Sequence, residues 1–246
     1  MFDKHFEVVL ADTPESKNIN YAIRYHVYCE EMGFENKEDF PLQMEFDDND
    51  EQAVHFIVRD KLSGHWVGAM RLIYKINDAL LPIEQSCKIN EKIGNSDLCG
   101  TVELSRLCLI KEVRRRFKDI DPPHGIIDDS QQDQDSEKVK FMHNQQKFNR
   151  TIIWGLIRAA AEYCYGNNIH NWYFMTTNAL AKVLRRGGLN LINIGEPCQH
   201  KGQRFPFKMD VLETYHSQIW QSDYNNGYIQ FSKLGQRKFR KEPAAA

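Results

Sequence analysis

The sequence predicts an α/β (α+β) fold built on a mixed sheet, and three observations carry that reading. Strand-like and helix-like periodicities alternate along the 246-residue chain. A Ser-Gly turn at 63–64 joins two apolar runs into an antiparallel hairpin. A strand, a long apolar helix and a second strand over 100–177 read as a right-handed parallel crossover, so the sheet is mixed.

The elements follow in order. "FEVVLAD" (6–12) reads as a strand. Over 18–34, Ile19, Ala22, Ile23, His26 and Val27 form an apolar helical stripe that Gly33 ends, and a second, non-core face carries Tyr21, Arg24 and Tyr28. "AVHFIVRD" (53–60) and "WVGAMRLIYK" (66–75) are the hairpin. Pro82 opens a short helix through about Ile93, and "GTVELSRLCLIKEV" (100–113) is a strand. An Ala-rich helix spans 149–166 and an aromatic strand 171–177. Asn178 caps a helix that Gly187-Gly188 ends, and "LNLINIG" and "RFPFKMDVLE" close with two strands. Residues 119–140 hold two prolines and seven acids, too polar to offset their ordering entropy. They read as a flexible insertion, either a plain solvated loop or a flap over a site. One domain over 1–213 with a C-terminal extension over 214–246 is the expected organisation.

Composition bounds the function. A formal net charge of −2 argues against wholesale nucleic-acid binding. No apolar run approaches the roughly 18 residues of a membrane span. The first residues carry acids within their apolar stretch and do not read as a signal peptide. Six cysteines stand singly, with no zinc-type spacing, so reduced thiols in a cytoplasmic protein are the expectation. His26, His55, His143 and His170 show no ligand spacing, and no metal is expected.

The candidate site begins with Glu45, Asp47 and Asp50, crowded before the first hairpin strand. Acids capping a turn would account for them. Arg24 on its helix, Arg71 inside an apolar strand, and Glu103 and Arg106 inside another offer complementary charges that need partners if buried. Glu103 and Arg106 are three apart and would face opposite sides of a regular strand. A β-bulge between them would put both on one face and splay the strand from its neighbour.

The runs R-x-x-V-Y-C-x-E-x-G-F (24–34), E-x-D-x-x-D-x-x-A-V-H-F (45–56), V-G-A-M-R-L (67–72) and E-L-S-R (103–106) resemble the acyl-homoserine lactone synthase superfamily. Within it, L-x-R-x-G-L…I-G-E-P-C-Q-H-K-G-Q-R-F-P (184–206) is similar to the PEP-CTERM/exosortase-associated acyltransferases, beside the N-acyl amino acid synthases. The resemblance covers about 5–212. It implies the GNAT fold, with splayed parallel strands in a mixed sheet flanked by helices. It makes Arg24, Asp47, Asp50, Arg71, Glu103 and Arg106 the charged active-site set. Tyr28 and Phe34 stand where autoinducer synthases carry Phe and Trp, and His55 where they carry Tyr, which favours an amino acid acceptor over a homoserine-lactone one.

The implied chemistry is acyl transfer from a thioester to a neutral amine, giving an N-acyl amino acid or signal lipid. Glu103 is the candidate base, directly or through a water. Asp47 or Asp50 would raise its pKa and Arg71 and Arg106 lower it, a balance the sequence leaves open. The acids could bind an ammonium group, and Arg24 or Arg106 a carboxylate. Ser105 and the backbone from Leu107 through Cys108 to Leu109 would meet the substrate and its oxyanion. Trp154, Leu156, Ile157, Trp172, Phe174 and Met175 either line an acyl tunnel or simply pack the core. The donor is an acyl-phosphopantetheine, with no permanently bound cofactor. The Gly-rich R/Q-x-x-G-x-G/A turn of coenzyme-A-using relatives is missing, while Lys111, Arg114, Arg115, Arg116 and Lys118 form a basic run. That run is either a solvated strand end or a dock for an acidic acyl-carrier protein, and with the missing turn it favours the carrier protein over coenzyme A. A coenzyme-A-dependent small-acyl transferase and a silent lipid-binding module are the alternatives.

Overall fold

The computed structural model describes residues 2–94, 100–114, 123, 124, 126, 136–221 and 223–234, with the backbone alone for 136–149. A nine-stranded mixed sheet forms around apolar strands β1 (Phe6–Leu10), β2 (Ala53–Asp60), β3 (Trp66–Tyr74), β4 (Gly100–Leu109) and β5 (Ile169–Thr176). The shorter β6 (Ile192–Asn193), β7 (Cys198–Gln199), β8 (Gln203–Asp210) and β9 (Tyr228–Gln230) complete it. The order is β6-β8-β5-β4-β3-β2-β1-β9, with β7 paired on β8. The helices are α1 (Phe2–His5), α2 (Pro14–Tyr25), α3 (Pro82–Ser86), α4 (Lys111–Arg114), α5 (Ser136–Gly166), α6 (Asn178–Arg186) and α7 (Val211–Tyr215). Among the described residues, no helix is long and apolar enough to cross a membrane.

The β2–β3 hairpin and the parallel β4–α5–β5 crossover form as the sequence predicts. Strands β4 and β5 pair only from Gly100–Ile169 to Glu103–Tyr173 and then part. Helix α5 lies on one face of the sheet, over Phe56, Met70, Leu72, Val102, Trp172 and Phe174. Helix α2 covers the other, over Val9, Ile57, Ala69 and Cys108.

Several boundaries depart from the expectation. Helix α2 ends at Tyr25 and the chain continues as a π-helical turn over His26–Glu31. Its buried face is Asn20, Ile23, Arg24, Val27 and Tyr28, whereas Ala22 is exposed and His26 half-exposed. The face expected to be non-core is buried because the 45–50 segment closes over it. Helix α3 stops at Ser86, since Cys87 is extended and Ile89 bridges to Gly195. Helix α5 starts at Ser136, inside the expected insertion. Its first turns hold only Val139, Phe141 and Met142 as apolar residues among Glu, Lys and Gln, which favour helix but leave a weak apolar stripe. Thr177, not Asn178, caps α6, its hydroxyl accepting from Leu180 N at 3.3 Å. The expected strand at 189–195 shrinks to β6. Beyond 213, β9 pairs in parallel with Val8–Leu10, and Trp220 meets Trp154 edge-on.

The cysteines also differ. Cys29, Cys108 and Cys164 are free and buried, but Cys87 and Cys198 form a disulfide, with Cα atoms 5.2 Å apart. The pair is separated by 111 positions, so single spacings along the chain could not reveal it.

Candidate active site

The acid segment is organised locally before it meets the arginines. Asp47 caps the 3-10 turn Asp48–Gln52: its side chain accepts from Asn49 N at 2.9 Å, and Asp50 accepts from Asp47 N at 2.8 Å. Glu45 N donates to Tyr21 O of α2 at 3.1 Å, which lays the segment against that helix. The turn-capping role and the charge-pairing role therefore coexist.

Arg24 is fully buried, its Nε 2.5 Å from Glu45 and its two Nη atoms 2.6 and 2.9 Å from Asp50. Arg71 spans both Asp47 oxygens at 2.7 and 3.1 Å and lies 2.8 Å from Asp50. Its Nε donates to Ser105 Oγ at 3.1 Å. Arg106 reaches Glu45 at 2.9 Å and Asp47 at 3.1 Å, and its guanidinium lies 5.4 Å over the Tyr28 ring. His55, buried beside Arg71 on the sheet, lies 2.9 Å from Asp50. Burial pushes the acids' pKa values up, but the arginines, and for Asp50 first the His55 hydrogen bond, outweigh it and hold Glu45, Asp47 and Asp50 below the usual carboxylate range. Three guanidiniums thus meet three carboxylates, and the network balances its own charge.

Glu103 stands apart from it. Ala69 pairs with Cys108 but Arg71 with Ser105, so β4 carries one extra residue opposite β3. That residue is accommodated at Arg106, whose φ of 52° is left-handed. The bulge places Glu103, Ser105, Arg106 and Cys108 on the α2 side of the sheet. Glu103 is 1% exposed and accepts from Ile83 N of α3 at 2.9 Å. Burial raises its pKa to about 8, opposed by the Ile83 amide, Arg71 and Arg106 and helped by Glu84. The neighbouring acid that assists is therefore Glu84, not Asp47 or Asp50.

A cavity opens where β4 and β5 part, and Glu103 lines it. Its lining comes from both faces of the sheet. On the α2 side are Tyr28, Phe34, Ser105, Arg106 and Met175; on the α5 side are Leu107, Ile157, Phe174, Leu180 and Leu184. Phe34 stacks on Tyr28 with centroids 6.4 Å apart. The cavity threads the split, with a polar end under α2 and an apolar end under α5 and α6.

Other expected residues lie elsewhere. Trp154 packs against Trp220, Trp172 donates to Cys164 Sγ at 3.1 Å inside the core, and Leu156 is buried with them; none lines the cavity. Alternation along β5 sends Trp172 and Phe174 to the α5 face, and only Phe174 lies beyond the point where β4 departs. Cys108 is buried under α2, and Leu109 spends its N–H on Pro123 O at 3.0 Å, so neither reaches the cavity. Arg114 is buried and ion-paired with Glu31, unlike a docking cation. Lys111 is exposed. Arg115, Arg116 and Lys118 lie outside the described residues, as does the side chain of His143. His26 does meet Glu31 and Glu112 within 4.8 Å, a grouping its sequence spacing conceals.

Sequence reasoning missed Ile83 and Glu84, which act on Glu103, and the mouth residues Glu35, His200, Lys201 and Arg204. Pro123 and His124 of the expected insertion also line the cavity. The run "QHKGQR" (199–204), three basic or titratable side chains around a glycine, was the available signal.

Residues 23–118 match the acetyltransferase (GNAT) domain. No curated protein matches the chain by sequence. Among solved structures it is similar to BjaI, a CoA-dependent acyl-homoserine lactone synthase solved with SAM and isopentyl-CoA (TM-score 0.58, 14% identity, 92% of each chain covered). It is also similar to the AHL synthase LasI (TM-score 0.57, 14% identity, 86% of this chain and 95% of LasI). TofI, solved in a ternary complex with an inhibitor and MTA, compares at TM-score 0.56 and 17% identity over 83% of this chain and 91% of its own. The chain has the GNAT fold, and its matched segment lies over the part of the chain that carries the acid network and Glu103.

Proposed function

We propose that the protein is an N-acyltransferase that moves a long-chain fatty acyl group from acyl-carrier protein to the amine of an amino acid. The observation that carries this reading is Glu103, buried at the sheet split, with a proton affinity near that of an attacking amine and an apolar cavity continuing beyond it. The acyl chain lies toward Ile157, Phe174, Leu180 and Leu184, and the acceptor enters on the Tyr28 and Arg106 side. Glu103 takes the proton as the amine nitrogen bonds to the thioester carbon. The C–S bond then breaks, and the proton returns from Glu103 to the leaving thiolate. Leu107, just past the bulge, is the candidate backbone position for the oxyanion. Arg24, Asp50 and Arg71 hold the acid segment and the bulge in place rather than meeting substrate. The acids have their charge matched by arginines, so they offer little to an ammonium group, which suits attack by the neutral amine.

The carrier-protein donor is supported by the missing Gly-rich turn after β4 and by exposed Lys111 at the start of the basic run. BjaI is CoA-dependent, so the donor is measured both ways. Mass spectrometry of lipid extracts from cells expressing the protein is expected to reveal N-acyl amino acids that disappear with Glu103→Gln. Purified protein is expected to turn over acyl-carrier protein at lower concentration than acyl-CoA. Saturation by acyl-CoA with no gain from the carrier protein would reassign the donor, and lipid bound without product would reassign the protein as a binding module.

A further inference from the structure

Arg204 sits at the cavity mouth, half-buried, on the hairpin of β7 and β8. The turn between them carries Lys201 at φ 50° and Gly202 at φ 96°, which aims the following residues back over the cavity. Among the described residues, Arg204 donates only to two backbone carbonyls, Gln203 O at 3.0 Å and Lys201 O at 2.8 Å. A guanidinium has five donors, so part of its fork is unused. Burial lowers its pKa, and no carboxylate among the described residues offsets that cost. The other lysines and arginines that line the site or its acid network each have an acid: Arg24, Arg71 and Arg106 share Glu45, Asp47 and Asp50, and Lys201 holds Glu35. Glu103 is mostly protonated at pH 7. Among the described residues, the mouth therefore carries one uncompensated positive charge, beside Tyr28.

We infer that Arg204 binds the α-carboxylate of the amino acid acceptor. This deepens the proposed N-acyltransferase reading and rests on it. Arg24 and Arg106, the carboxylate binders expected from sequence, are committed to the acid network. Arg204 keeps unused donors on a planar fork that has no acid partner among the described residues, suited to a carboxylate. Holding the carboxylate there turns the acceptor amine inward to Glu103 and excludes plain amines, which would leave the charge unmatched.

The test is calorimetric binding of an N-dodecanoyl amino acid and its primary carboxamide, with 4′-phosphopantetheine as a third probe. The proteins are wild type, Arg204→Met, which keeps the aliphatic stem, and Arg204→Lys. Wild type is expected to prefer the carboxylate by about tenfold or more. Arg204→Met is expected to lose that preference while melting like wild type, and Arg204→Lys to keep part of it. Equal affinity for carboxylate and carboxamide in wild type overturns the inference while leaving the acyltransferase reading intact, and needs no variant to fold. Preference surviving in Arg204→Met also overturns it. Phosphopantetheine binding that depends on Arg204 would assign the residue to the donor phosphate and overturn it. Failure of wild type to bind either acyl compound would sink the acyltransferase reading itself, and this inference with it.

Discussion

Glu103 and the acids of the 45–50 segment sit on the same face yet depart from ordinary carboxylate behaviour in opposite directions. Burial raises Glu103 to about 8, so the fold favours its neutral form. Its stabilising contribution is complete below the ordinary carboxylate range and is lost as pH rises through about 8. Glu103→Gln keeps an acceptor for Ile83 N and cannot ionise. The variant is expected to match wild type in melting temperature near pH 4 and to exceed it by a margin that grows to about pH 9. Each unit of pKa shift corresponds to about 1.4 kcal/mol, so that margin is on the order of a few kcal/mol. Its turnover is expected to vanish, while wild-type kcat/KM climbs with pH and levels near 8. Melting curves that stay parallel across pH would remove the buried-base account. Glu45, Asp47 and Asp50 run the other way: their depressed values stabilise the fold above the ordinary carboxylate range, and that stability falls as pH drops below it. Arg24 is the keystone of that set. Arg24→Met strands the charges of Glu45 and Asp50 in the interior and is expected to cost about 3–5 kcal/mol in urea denaturation. A loss under about 1 kcal/mol would mean that water reaches the acids.

At the scale of elements, legibility followed what a local pattern can encode. The hairpin and the crossover were readable because apolar periodicity and the Ser63-Gly64 turn are local signals. The bulge was readable because Glu103 and Arg106, charged residues three apart in an apolar strand, conflict with a period of two unless an extra residue intervenes. The start of α5 was hidden because its first turns are mostly polar helix-formers, with only Val139, Phe141 and Met142 as apolar residues, beside an acid-rich stretch. The cap of α6 was placed one residue late because Thr177 and Asn178 are both good caps, and only the hydroxyl contact to Leu180 N separates them. That contact sets a prediction: Thr177→Ala is expected to cost about 1 kcal/mol and Asn178→Ala less than half of that, read from chemical denaturation. The reverse ranking would restore Asn178 as the cap. Arg204 went unread because a cation's importance depends on which acids lie beside it, and residues 28 and 200 meet it only through the fold. Trp154 and Trp172 missed the cavity for a related reason, while Phe174 lines it. Alternation fixes which face Trp172 takes, but where β4 leaves β5 decides which side chains see the gap.

For the molecule as a whole, the question is what holds the two sides of the split in register. Helix α3 supplies the Ile83 amide to Glu103, and the β7–β8 hairpin carries His200, Lys201 and Arg204 over the same cavity. These pieces belong to distant parts of the chain, yet Cys87 just after α3 is bonded to Cys198 at the start of the hairpin. Met175 of the cavity wall packs against both, 3.4 Å from the Cys87 sulfur and 3.9 Å from the Cys198 sulfur. Among the described residues, the only ladder support for β7 is two residue pairs with β8, so the hairpin has little else to fix its tip. A cross-link spanning 111 positions removes much disorder from the unfolded chain, about 4–5 kcal/mol in the chain-entropy account. Cys198→Ser is therefore expected to melt well below oxidised wild type. Dithiothreitol should lower the wild-type melting temperature toward the variant's while leaving the variant unmoved. Wild type that melts alike with and without the reductant, its thiols titrating as six free groups in both cases, would remove the cross-link from the account. The hairpin would then depend on packing, on its two ladder pairs with β8 and on the Lys201–Glu35 pair.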